Sequence, residues 1–141
     1  VRRLVAFGDS LGVKVQYVCL VDYSNSRGAM DMGLLPGLGP GYHAAGEGGL
    51  TLDGMLDAPD LDALWVVGAN PLEARGLASE GAFVVVNELF LTETAQRADV
   101  VFPAASAYEK SGTVTNVCGE VQRLKAGPKV MGAKPDLEIM G

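Results

Sequence analysis

The run Leu64-Trp65-Val66-Val67-Gly68-Ala69-Asn70-Pro71 reveals the architecture once it is set beside two later ones, Phe83-Val84-Val85-Val86-Asn87-Glu88 and Asp99-Val100-Val101-Phe102-Pro103. Each is a short, nearly continuous apolar run that stops at a Gly, Asn or Pro. Such runs suit strands buried on both faces, the usual condition of a parallel sheet. Between the first two, Leu72 to Ser79 reads as helix, and Thr92 to Ala98 reads as helix before the third. Strands alternating with helices of this length predict βαβ units with right-handed crossovers. The fold class is therefore α/β, a Rossmann-like parallel sheet with strands around Val66, Val85 and Val101.

Ahead of these runs, Thr51 caps a short helix carrying Leu52, Met55 and Leu56 on one side, and Pro59 helps to end it. Further upstream, Val15 to Val21 reads as another strand, with Cys19 in its core. Ser24 to Gly46 is rich in Gly, Pro and small polar residues, and its Gly33 to Gly41 segment suits neither a helix nor a regular ladder. Its scattered Met30, Met32, Leu34, Leu35 and Leu38 call for a packing surface. Downstream, Thr113, Thr115, Val117 and Val121 alternate around Gly119, which predicts an extended or hairpin excursion over Gly112 to Leu124. The chain thus divides into residues 1–50, a strand plus a Gly/Pro-rich loop, and residues 51–141, a βαβαβ core, within one domain. It begins at Val1 and closes on what reads as a first helical turn, Pro135 to Met140, so a piece of a longer polypeptide is expected.

Composition narrows the function. The chain has 141 residues, 48% hydrophobic and 20% charged, which is ordinary for a globular domain with a sizeable core. Eleven basic residues against 17 acidic ones leave a net charge of -6, which disfavours a nucleic-acid partner. No apolar stretch approaches the ~20 residues needed to cross a bilayer. Two separated cysteines, Cys19 and Cys118, do not form a disulfide framework, so a reducing compartment is expected.

In an open parallel sheet, ligands bind at the carboxyl ends of the strands, where loops and helix N-termini converge. Here those ends carry Gly68-Ala69-Asn70-Pro71, then Asn87-Glu88 with Thr92-Glu93-Thr94, then Pro103-Ala104-Ala105-Ser106. Gly admits a close approach to the backbone, Asn supplies an amide, and Pro fixes a first helical turn. Each feature also has a purely local reading: Gly-Ala-Asn-Pro as a turn, Thr92 as an N-cap, Asp99 as a cap or ion-pair partner for the preceding turn.

In order, these segments resemble the molybdopterin oxidoreductase family. The likeness runs through Val84 to Ala95, Ala98 to Ala105, Glu109 to Asn116 and Gly119 to Arg123, and upstream through Val66 to Pro71 and the loop from Asn25 to Gly41. It implies a fragment of a molybdopterin-oxidoreductase-like domain, whose strand ends lie near the guanine dinucleotide arms of the cofactor. By that resemblance Gly68, Asn70, Pro71, Asn87, Glu88, Thr92, Thr94 and Asp99 are the candidate cofactor-binding residues. Many cofactor-binding relatives carry Gln-Asp where this chain has Asn87-Glu88, and the longer Glu reaches differently into the pocket.

Within the family the chain also looks like the large iron–sulfur subunit of respiratory NADH-quinone oxidoreductase, which passes electrons from NADH towards quinone. That likeness implies a scaffold segment that binds no cofactor, with iron–sulfur clusters elsewhere in the subunit. It further implies partners among the subunits of a respiratory complex, peripheral to the cytoplasmic side of a bacterial inner membrane. A first alternative is a molybdenum enzyme such as a formate dehydrogenase or nitrate reductase, with this segment on molybdopterin guanine dinucleotide. A second is a nucleotide-binding module unrelated to redox chemistry.

No catalytic or metal-ligating residue is assigned. Cys19 and Cys118 lack a Cys-x-x-Cys partner or adjacent histidine, and His43, the single histidine, sits in the glycine-rich loop as a surface or interface residue. Glu109-Lys110 reads as a solvated pair, and Trp65 as a core residue packed against a helix.

Overall fold

The computed structural model describes residues 1–18, 20–130 and 132–141. Three parallel strands, β1 (Ala63–Val67), β2 (Phe83–Glu88) and β3 (Val100–Pro103), lie in the order β1-β2-β3. The register places Trp65 beside Val85 and Val67 beside Asn87, then Val86 beside Val101 and Asn87 beside Phe102. The α/β class and all three strand centres are as the apolar runs predict.

Alternation along the strands gives the sheet two unlike faces. On one, Val66, Val84 and Val86 are buried together with Ala95 of α4 (Glu93–Gln96), and Leu64, Leu77 and Ala98 pack against them. On the other, Trp65 and Phe83 are each 50% exposed, beside the exposed Val67. The core therefore sits on one side of the sheet.

Local chemistry explains the short helices. Thr51 Oγ1 accepts from the Gly54 N–H at 3.1 Å at the start of α3 (Leu52–Asp57), and Thr92 Oγ1 accepts from the Ala95 N–H at 3.2 Å at the start of α4. Each hydroxyl satisfies an N–H left without an intrahelical partner. The expected hairpin is β4 (Gly112–Thr115) against antiparallel β5 (Val121–Leu124), and α5 (Asp136–Met140) closes the chain.

The structure departs from the sequence reading in several places. Leu72 to Ser79 is a series of turns, because its polar groups are drawn to distant partners. The Leu72 N–H donates to Thr94 Oγ1, the Ala78 N–H to the Leu56 carbonyl, and Ser79 Oγ to the Leu61 carbonyl. Val15 to Val21 is not a strand among its described residues, and Val18 and Leu20 are exposed; Cys19 lies outside the described residues. Upstream of it a helix unforeseen from sequence, α1 (Arg2–Ser10), is formed. The Gly/Pro-rich loop holds α2 (Ser26–Asp31) and a 3-10 turn, Pro40–Tyr42, which begins inside the segment read as non-helical.

The loop does find a packing surface at the hairpin. Asn25 Oδ1 accepts from the Thr115 N–H at 2.9 Å and Arg27 Nη1 donates to the Val117 carbonyl at 3.2 Å, so α2 is clamped to β4 and its turn. Asn116 shapes that turn, its Oδ1 accepting from the N–H groups of Cys118 and Glu120.

Candidate functional site

The carboxyl ends of β1 and β2 meet at one rim, and Asn70 is its centre. Its Oδ1 accepts from both the N–H of Thr94 at 3.0 Å and the hydroxyl of Thr94 at 2.8 Å. Its Nδ2 donates to Glu73 at 3.2 Å and Glu93 at 2.7 Å. Two acceptor and two donor positions exhaust an amide side chain, so Asn70 is fully engaged inside the chain. The bond from Asn70 holds the Glu93 carboxyl below its ordinary range, helped by the backbone N–H of Glu93 itself.

Thr94 is the buried counterpart, with no exposure to solvent. Its Oγ1 donates to Asn70 and accepts from the Leu72 N–H at 3.0 Å, so one hydroxyl ties the turn after β1 to the first turn of α4. Arg97 adds a bond from Nη1 to the Leu72 carbonyl at 3.3 Å. The brace follows from the local fold: Pro71 presets the turn after Asn70, and the Thr92 cap starts α4 where Thr94 faces inward.

Several further N–H groups of the rim are also occupied. Gly68, at φ 60°, adopts a left-handed turn that Gly tolerates, and its N–H donates to the Asn87 carbonyl at 2.9 Å. The Leu89 N–H donates to Glu88 Oε1 at 2.7 Å. Hence the N–H groups of Gly68, Leu72, Leu89, Thr94 and Ala95 all have partners within the chain. A phosphate is normally held by free N–H groups or cations at such strand ends, and here, among the described residues, the carboxylates of Glu73, Glu88 and Glu93 stand beside the single cation Arg97.

Asn87 is fully buried and behaves differently. Its Oδ1 accepts from Trp65 Nε1 at 3.0 Å, which fixes the amide orientation, and its Nδ2 has no hydrogen-bond partner. Trp65 is thus half-exposed and hydrogen-bonded to a polar neighbour, not the core residue its sequence context implies, and it lines a cleft together with residues of α3. Beside the rim, an apolar cleft of about 390 Å³ runs along β1 towards α3, and Asn70 and Pro71 line one part of it.

Of the eight residues singled out from sequence, seven gather around this rim: Gly68, Asn70, Pro71, Asn87, Glu88, Thr92 and Thr94. Asp99 does not. It precedes β3 at the opposite end of the sheet, where Oδ2 accepts from the Val84 N–H at 2.8 Å and the Asp99 N–H donates to the Val84 carbonyl. It extends the sheet ladder to β2, where the local reading has it capping or ion-pairing with the preceding turn. Glu73 and Glu93 complete the rim but were not singled out, and the spacing of Glu93 next to Thr94 was the available signal.

Glu109 and Lys110 are not a solvated pair. Glu109 is buried, accepting from the N–H and hydroxyl of Ser106 and from the Val130 N–H, while Lys110 pairs with Asp136 at 2.6 Å. Together they tie the segment after β3 to the last residues of the chain. Among the described residues no three His, Cys, Asp or Glu side chains stand together as a metal site, and no helix is long and apolar enough to cross a membrane.

A parallel sheet with its crossovers on one face and a braced carboxyl-end rim defines a Rossmann-like α/β segment. Residues 18–141 match the family described as molybdopterin oxidoreductase, and the chain belongs to that family. It is 37% identical to the F420-dependent formate dehydrogenase 2 subunit alpha of Methanococcus maripaludis over 83% of this chain and 21% of that protein. It is 37% identical to the putative formate dehydrogenase YrhE of Bacillus subtilis over 84% of this chain and 15% of that protein. It is 34% identical to an NADH-quinone oxidoreductase subunit of Rhizobium meliloti over 93% of this chain and 19% of that protein. The chain therefore spans only 15% to 21% of the length of these curated relatives.

Proposed function

We propose that this chain is a scaffold segment of the large iron–sulfur subunit of an NADH-quinone oxidoreductase, without a redox centre of its own. In this reading the full subunit carries electrons from NADH towards quinone through iron–sulfur clusters elsewhere in its length. Its partners are other subunits of the complex, at the cytoplasmic face of a bacterial inner membrane. The similarity to the Rhizobium meliloti protein over 93% of the chain supports it.

The observation that carries the reading is the closed brace of Asn70 and Thr94. A dinucleotide diphosphate at this rim would need donors or cations, whereas the side chain of Asn70 is exhausted and carboxylates outnumber the one cation, Arg97. The brace instead suits a segment that holds a rigid surface for its neighbours, with Gly68, Pro71, Asn87, Glu88 and Thr92 shaping the strand ends.

A second reading is the cofactor-binding segment of a molybdenum enzyme such as a formate dehydrogenase. It is favoured by the relatives of that name and by the buried Asn87 Nδ2, a donor that still lacks an acceptor. The two readings are separated by assaying the complex purified through the full-length subunit. NADH-dependent quinone reduction without formate oxidation is expected, and formate-driven dye reduction would establish the second reading instead.

A further inference from the structure

Among the described residues β1 has one partner, β2, so the far side of Ala63–Val67 carries backbone groups without a ladder. A free edge beside an apolar wall is a surface that accepts another strand. The wall belongs to the cleft of about 390 Å³, which β1 lines together with Leu52, Met55 and Tyr23.

The same chain carries a β-prone segment without a sheet. Residues 13–18, Val-Lys-Val-Gln-Tyr-Val, belong to no helix or strand, and Val13 and Val18 are 66% and 76% exposed. This segment is already joined to α1. Tyr17 Oη donates to the Val5 carbonyl at 3.0 Å, and its ring lies against Gly8 so closely that a Cβ there would collide with it. Helical spacing puts Leu4, Phe7 and Leu11 around Gly8 on the same side of α1, and all three are exposed.

We propose that residues 13–18 dock as a fourth, parallel strand on the free edge of β1, carrying α1 onto the sheet face of Trp65, Val67 and Phe83. Length supports the match, since β1 has five residues and the segment six. Handedness supports it as well. Stepping across the sheet in one direction, right-handed crossovers all fall on one face. Leu77 and Ala95 mark that face, and α3 is bound to the same turn through Ala78. Docking adds the crossover through α3 to that side and leaves the opposite, apolar face to α1. A parallel sheet is then covered on both faces, as such sheets require.

Residue-resolved hydrogen exchange on the full-length subunit tests this. The unpaired amides of β1 and alternate amides of residues 13–18 are expected to exchange about 100-fold more slowly than free chain. Because successive N–H groups of a strand point to opposite sides, one of Val15→Pro and Gln16→Pro must remove a ladder bond. That variant is expected to release both sets of amides while β2 stays slow, which also shows that the sheet remains folded. Free-chain exchange of residues 13–18 or of the β1 edge in the wild type would overturn the proposal. So would a β1 edge that stays slow in both proline variants, since another strand would then occupy it.

Discussion

Thr94 shows how one side chain can set the geometry of a whole rim. Its hydroxyl serves Asn70 and the Leu72 N–H in a site closed to water, so Thr94→Val keeps the shape but leaves buried polar groups unmatched. The expected loss is about 1–3 kcal/mol, read from thermal or denaturant unfolding of the full-length subunit. Asn70→Ala combined with Thr94→Val should cost less than the sum of the two, by at least about 0.5 kcal/mol, because both remove the same contact. Full additivity would show that the brace carries no coupling. Glu93 adds a pH signature. Its folded carboxyl is lowered by the Asn70 amide, so the contribution is present above the ordinary value of 4.5 and is lost as pH falls through the lowered value. Glu93→Gln should flatten stability against pH in that acid range, and an unchanged acid limb would contradict the assignment. Among these residues the strand-end positions of Asn70 and Thr94 are legible in the sequence, but their mutual bond is not. Nothing local records that residues 24 positions apart complete each other's hydrogen bonding.

At the scale of elements, legibility follows the range of the signal. The three strands, the Thr51 and Thr92 caps and the hairpin around Gly119 are encoded by neighbouring residues, and they form where the sequence places them. Leu72 to Ser79 fails because Thr94, Leu56 and Leu61 take its polar groups from afar, and no helix pattern contains that information. Thr51→Ala should destabilise α3 by about 1 kcal/mol, seen as faster amide exchange at Gly54 and Met55 with the strands unaffected. Val86 is fully buried at the centre of the apolar cluster. Val86→Ala should therefore cost roughly 2 kcal/mol of global stability, and a change below about 0.5 kcal/mol would mean that the cluster is not the core.

For the whole molecule, one sheet face is packed and the other is largely apolar and open, while the carboxyl-end rim is braced and acidic. That combination suits the proposed role of a segment held among neighbours, and the chain belongs to a family whose matched members extend well beyond it, 15% to 21% of their length being covered. Fold class was readable at this scale because parallel-sheet strands advertise themselves as apolar runs. The acidic brace was not, since it arises only when Glu73 and Glu93 meet at Asn70. Elemental analysis of the purified full-length subunit, in its complex, for iron, molybdenum and tungsten bears on the scaffold role without intermediate steps. The scaffold role predicts iron without molybdenum or tungsten, and stoichiometric molybdenum or tungsten would contradict it.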